Sequence, residues 1–232
     1  MAQQQAIVKG DALQKLGSAG FIIGAILLLI FNILLPRASD SSNVQEVLTK
    51  WGEQEGLVKM CALLLAVGIW GLMIGIVGVY RSISTGGGAS WVRLGFYGVV
   101  VGTTVWTISF ALVMATADTA ATWVAAPAAG KDAAYGIAAA VNAVDETMHT
   151  MSIIVYWLAL VFLGIGMVLS SVYPRWMGWV VLVLGIVTMA TGGIIPIFAG
   201  PASATMMIFA ILSVLTTIWA LVLGIWVARK AW

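Results

Sequence analysis

One short segment gathers the groups best suited to chemistry in this 232-residue chain: Asp145-Glu146-Thr147-Met148-His149-Thr150-Met151. On a helix, Glu146 and His149 stand three residues apart and Asp145 and His149 four apart. Either carboxylate can then meet the imidazole on one face. Glu-x-x-His is half of the carboxylate-bridged di-iron pattern, which needs a second such helix and two further glutamates. His149 is the sole histidine, so that pattern fails, and bis-histidine haem ligation and multi-histidine metal centres fail with it. Two binding readings are left. Asp145, Glu146 and His149 could form a mononuclear metal site with Met148 or Met151 nearby, or the single imidazole could ligate a chlorin magnesium or a five-coordinate haem. The plainer reading is a helix start with acids in its first turn, where they favour the helix dipole, and a histidine held by them.

Other catalytic sets are thin. Cys61 is the single cysteine, which excludes an internal disulfide and any multi-cysteine zinc or iron–sulfur site. A Ser-His-Asp arrangement would have to use His149, and no G-x-S-x-G turn is present.

The elements that must position these residues follow from composition. The chain is 62% hydrophobic and 9% charged, with mean hydropathy +1.06. Soluble domains carry about 25% charged residues. Eleven Lys+Arg and nine Asp+Glu cannot cover a water-soluble globule of this size, and the net charge of +2 points to no polyanionic partner. Soluble enzymes, nucleic-acid binders and disordered tails are excluded. Six apolar stretches are long enough to span a bilayer, at about 17–35, 57–80, 94–116, 148–172, 176–195 and 203–227. They lack the alternation of barrel strands, so the fold class is all-α: a polytopic transmembrane helical bundle, with residues 1–232 as a single transmembrane domain. The first apolar run of about 19 residues exceeds a signal-peptide core, and Pro36-Arg37-Ala38 is a poor cleavage site, so the first span is expected to be retained.

Charge sets the orientation. With the N-terminus inside, the inner segments carry Lys9, Lys15, Arg81, Arg93, Arg175, Arg229 and Lys230 against Asp11 alone. The outer segments carry four basic and eight acidic residues, so the sides differ as +6 and −4. Both termini are expected in the cytoplasm, with outer loops at 36–56 and 117–147.

In the first outer loop, Ser42-Asn43-Val44-Gln45 fits a capping box. Val44, Val47, Leu48 and Trp51 then share one face, which predicts a short amphipathic surface helix. The second outer loop is alanine-rich and interrupted by Pro127 and Gly130, with helical character over 132–144. Thr85-Gly86-Gly87-Gly88 makes a flexible inner turn. No internal repeat of the inverted-transporter kind is visible.

Gly68, Gly71, Gly75 and Gly78 form a stripe on one face of the second span. Small residues let helix backbones approach closely in lipid. The stripe predicts tight packing inside the bundle, with contact to another subunit as the alternative. Gly20/Gly24 and Gly98/Gly102 repeat the theme. Span interiors carry no Asp, Glu, Lys or Arg in this reading, since Lys59 and Asp118 fall at span edges. Pumps and coupled transporters, which need such groups, are disfavoured. Trp91, Trp176, Trp179, Trp226 and Trp232 fit an interfacial belt, while Trp70, Trp106, Trp157 and Trp219 lie deeper. Gly192-Gly193-Ile194-Ile195-Pro196 is expected to loosen the end of the fifth span.

The junction Tyr173-Pro174-Arg175-Trp176-Met177-Gly178-Trp179 resembles the P-R-W-hydrophobic-G-W junction of a bacterial family of six-helix integral membrane proteins of unknown function. The Gly-Ser-Ala-Gly entry at 17–20 and the Val79-Tyr80-Arg81 exit are similar to it too. The resemblance implies a multi-pass protein of the cell (inner) membrane and brings no catalytic residues. The functional expectation is a non-enzymatic membrane subunit that packs with lipids and with other subunits or itself, in a larger complex or homo-oligomer. The alternatives are a pigment-, haem- or metal-binding protein using His149, and a passive pore or carrier for a small neutral or lipidic solute.

Overall fold

The computed structural model describes residues 7, 9–40, 42–200 and 203–232, the side chain of Ser203 excepted. All regular structure among them is helical: α1 Ala12–Leu34, α2 Val44–Glu53, α3 Glu55–Ser82, α4 Ala89–Ala125, α5 Lys131–Val168, α6 Arg175–Thr188, α7 Ile195–Ala199 and α8 Ser203–Ala231. Six helical segments are long and apolar enough to cross a membrane, the make-up of a multi-pass integral membrane protein. The two ends of the chain meet at one end of the bundle, where Gly10 N donates to Ala231 O at 2.8 Å. We call this the termini end and the opposite one the far end.

The spans lie where the apolar runs put them, but their limits differ. α1 starts five residues earlier than expected, capped by Asp11, whose carboxylate accepts from Leu13 N and Gln14 N at 2.9 and 3.0 Å. The fourth span ends at Val168 rather than 172, and the sixth runs on to Ala231.

The larger correction concerns 117–147, expected as an outer loop. It is helix for most of its length. α4 continues to Ala125, a 3₁₀ turn spans Ala128–Gly130, and α5 begins at Lys131. At 1.5 Å per residue, α4 and α5 are each more than 50 Å long, against about 30 Å of bilayer hydrocarbon. Two causes combine. Alanine is the best helix former, and the segment is rich in it. The exposed backbone also gains a small core of its own: Leu48 of α2 is wholly buried against Ala120, Trp123 and Ala138. The stretch foreseen as helical at 132–144 runs without a break into the fourth span, and Pro127 marks the turn.

α2 is the amphipathic helix the pattern predicts, with its cap shifted by one residue. Asn43, not Ser42, caps it, accepting from Glu46 N at 3.2 Å. The Glu46 carboxylate reaches back to Ser39 N at 2.6 Å. Ser42 is diverted: its hydroxyl and amide both donate to Asp40 Oδ1, at 2.6 and 2.9 Å, which holds the Asp40 carboxyl below the usual carboxylate range. Trp51 Nε1 ties α2 to the end of α1 by donating to Pro36 O at 3.0 Å.

The glycine stripe of α3 packs against α1. A methyl group on Gly24 would lie 2.6 Å from Gly68 O, and one on Gly71 2.9 Å from Gly24 Cα. Phe21 of α1 covers Gly75, and Gln14 Nε2 donates to Gly78 O at 3.2 Å. Packing inside the bundle is thus the reading that holds for Gly68, Gly71, Gly75 and Gly78. The same device joins α4 to α5 through Gly95, Gly98 and Gly102, and α5 to α6 through Gly164 and Gly178. α5 sits between α4 and α6, with Leu160, Leu163 and Met167 at the centre of the main core.

The fifth span loosens as expected, in a specific way. Residues Met189–Ile194 form a π-helix between α6 and α7, and Ile195 N donates five residues back to Ala190 O. Pro196 has no N–H to give Gly192 O, so the wider turn accommodates the missing donor.

Candidate functional site

The chemistry-bearing segment of α5 lies in the far half of the bundle. It faces Trp106 and Ser109 on α4 and Phe209 on α8, and the π-helix packs on α5 close by through Gly193 and Ile154. Periodicity explains the arrangement. Asn142, Asp145, His149, Ser152 and Tyr156 recur every three or four residues, so they fall on the inward side of α5, with Trp157 beside Tyr156. Glu146 and Thr147 fall on the exposed side.

Asp145 is 5% exposed, and its hydrogen bond is a long one, accepted at Oδ1 from Ser109 Oγ at 3.5 Å. Ser109 itself is fully buried. Glu146 takes a different partner, accepting from Asn142 Nδ2 at 2.8 Å. Neither carboxylate forms an ion pair with His149 among the described residues. The imidazole is instead set among aromatic rings: Trp106 edge-on at 4.9 Å between centroids, and Phe209 at 6.1 Å. Trp157 closes the group, 6.3 Å from Trp106 and 5.8 Å from Phe209. A methyl group on Gly192 would run into the Phe209 ring, so the glycine in the π-helix is what allows α8 to bring Phe209 this close.

The expectation of a histidine held by its acid neighbours is therefore corrected. Spacing permits the contact, but Asp145 turns to α4 and Glu146 to Asn142, and aromatic packing holds the ring. Among the described residues, no group of three His, Cys, Asp or Glu side chains is placed to hold a metal ion, so Asp145, Glu146 and His149 do not converge as a ligand set.

The deep tryptophans divide into two kinds. Trp70 Nε1 donates to Thr107 Oγ1 at 2.9 Å, and Trp219 Nε1 to Met177 O at 3.0 Å. The indole nitrogens of Trp106 and Trp157 are buried without a hydrogen-bond partner among the described residues. Buried N–H groups are normally paired, and leaving one unpaired costs about 1–3 kcal/mol. Trp106 meets His149 directly, and Trp157 adjoins Trp106 and Phe209, the two rings that meet His149. The carboxyl of Asp145, poorly satisfied, lies one turn away.

A second polar group joins α3 to α4 toward the far end. Lys59 Nζ pairs with Glu55 Oε1 at 2.6 Å and with Asp118 Oδ1. It fixes the start of α3 against α4, and its side chains are about a third to a half exposed, so it acts as an interfacial clasp. At the opposite end, Tyr173 in the resemblance-bearing junction is buried, shares a 2.8 Å hydrogen bond with Ser82 Oγ and packs on Trp226, while Trp176 and Trp179 stay exposed.

Sequence reasoning placed Asp145, Glu146 and His149 on one helix but missed Ser109, Trp106, Trp157 and Phe209 as their surroundings. The triplet Gly192, Gly193 and Pro196 was the available signal for an irregular helix beside them. No family model, curated protein or solved structure matches the chain.

Proposed function

We propose that the protein is a non-enzymatic integral membrane subunit that docks a partner helix on its projecting α4–α5 hairpin. Both termini face the cytoplasm of the cell (inner) membrane, and the hairpin stands outside. One observation carries this reading. Ile137 and Val144, seven residues apart on one face of α5, are 60% and 55% exposed, and Ala133 and Ala140 continue the same open stripe. Ile137 lies eight residues, about 12 Å of helix, further out along α5 than Asp145. An apolar stripe of heptad spacing on a projecting helix suits a second helix. The glycine face of α3 no longer supports the reading, because α1 occupies it. The remaining exposed Ile, Val and Leu side chains of α1, α6 and α8 suit acyl chains.

The test is the mass of the native complex extracted from its own membrane. The protein is expected to run as an assembly, and I137E/V144E to run at the mass of one chain while melting as before. An assembly that survives both substitutions, or a native protein that is already a single chain, overturns the reading.

A second reading, a bound group beside His149, rests on the unpaired indole donors of Trp106 and Trp157. It requires natively purified protein to carry a stoichiometric metal or a visible chromophore that His149→Leu removes. Colourless, metal-free protein eliminates it.

A further inference from the structure

At the termini end, the exit of α3 and the entry of α4 form an open cavity of about 150 Å³, lined by Tyr80, Arg81, Ile83, Ser84, Ala89 and Arg93. From this geometry we infer a phosphate-binding site, with Arg81 and Arg93 as its two cationic walls.

Neither guanidinium is well matched by protein. Arg93 is exposed and makes no ion pair among the described residues. Arg81 reaches one acid, Asp11, at 4.0 Å, the outer limit of an ion pair. Guanidinium groups match phosphate oxygens in a bidentate fork, and two of them across one cavity can grip a single phosphate. The Ser84 hydroxyl on the cavity wall adds a neutral donor.

The backbone contributes independently. α4 is 37 residues long and starts at the cavity; Gly88 at its cap position offers no side chain, and its first turn holds no acid. Gly86, at φ 82°, makes the turn that brings this uncapped start beside the end of α3. Ala89 N donates to Gly86 O at 3.2 Å, and the remaining N–H groups of this first turn, with the positive end of the helix dipole, favour an anion near the start of α4.

The setting favours a lipid headgroup as the source of that phosphate. Trp91, in the first turn of α4, is exposed, as are Trp176, Trp179 and Trp232 at the same end. Such tryptophans sit at the headgroup level of a bilayer. The local acids are few: among the chain's termini-end segments, Asp11 alone faces seven Lys and Arg. Basic pockets between spanning helices on this side are suited to anionic headgroups.

The experiment places the full chain in nanodiscs of phosphatidylcholine, with or without phosphatidylglycerol, and reads retained lipid by native mass spectrometry. The wild-type chain is expected to retain phosphatidylglycerol over phosphatidylcholine. R81Q/R93Q should lower that preference by about tenfold per arginine removed, while melting unchanged in phosphatidylcholine. R175Q/R229Q, which removes two charges at the same end outside the cavity, should keep it. In a parallel arm, inorganic phosphate is titrated into the discs that contain phosphatidylglycerol. Phosphate that binds through the same two arginines and displaces phosphatidylglycerol assigns the site to a soluble phosphate compound; phosphate that fails to displace it assigns the site to lipid. The proposal is overturned if R81Q/R93Q keeps the preference, or if R175Q/R229Q loses as much of it. The site is at the opposite end from the α4–α5 hairpin, so its failure leaves the assembly reading standing.

Discussion

Gly71→Leu is expected to destabilise the bundle by about 3 kcal/mol or more, because the group it would displace is backbone. A methyl at Gly71 would lie 2.9 Å from both Gly20 O and Gly24 Cα, and the facing glycines leave nothing to rearrange. In lipid, no hydrophobic drive pulls α1 back onto α3. Their association rests on van der Waals contact at close approach, and a leucine wedge removes it along several turns. The stripe also predicts its own exception. A methyl on Gly78 would meet Gln14 Oε1 at 3.5 Å and Gly17 Cα at 3.8 Å, ordinary contact distances, so Gly78→Ala should cost less than about 1 kcal/mol. Gly24→Ala, at 2.6 Å from Gly68 O, should be the most damaging alanine of the set. Thermal melts and protease sensitivity of the α1–α3 pair measure all three. Equal melting of Gly71→Leu and wild type, or equal damage from Gly78→Ala and Gly24→Ala, would contradict the close-packed geometry.

The difference between Gly71 and Gly78 shows how far sequence reasoning reaches. Spacing alone identified the face, because small residues at intervals of three and four have one structural use in lipid. Spacing could not rank the four glycines, which depends on where α1 crosses. The same limit appears at Asp145 and His149. Their separation of four residues is compatible with contact, but Ser109 and Trp106 on another helix take up the two side chains instead. The six spans were legible because each apolar run exceeds what a soluble helix would carry. The α4–α5 extension was not, because alanine-rich sequence between Pro127 and two spans reads equally as loop or helix. What decides it is burial of Leu48, 72 residues before Ala120 in the chain. The cap of α2 was misjudged by one residue for a similar reason: Asp40 captures Ser42, and Asn43 is left to cap. Local pattern located the elements, and long-range partners decided what the polar groups do.

Replacing the pair at the heart of the candidate site should make the protein more stable. Asp145 is enclosed between α4 and α5, with one hydrogen bond at 3.5 Å to set against the loss of water. A buried carboxyl that is poorly paired is costly, and exchanging such groups for apolar side chains of similar total volume is often stabilising by about 1–4 kcal/mol. Asp145→Leu with Ser109→Ala adds volume on α5 and removes it on α4, so the pair keeps the packed space filled. We expect a gain of about 2 kcal/mol. Ser109→Ala alone should do the opposite, costing about 1 kcal/mol or more, since it strips the carboxyl of that donor. The two substitutions are thus expected to be strongly non-additive, which a double-mutant cycle on thermal or denaturant unfolding measures directly. A double variant that melts below wild type would mean that Asp145 is better partnered than the Ser109 contact indicates. A double variant that melts higher has a sharper consequence. The chain then holds a carboxyl inside its bundle at a net loss of stability, one turn from His149. Groups kept on such terms are characteristic of functional sites rather than of packing. The gain in stability would then mark Asp145, ahead of Glu146, as the residue on which the site's chemistry depends.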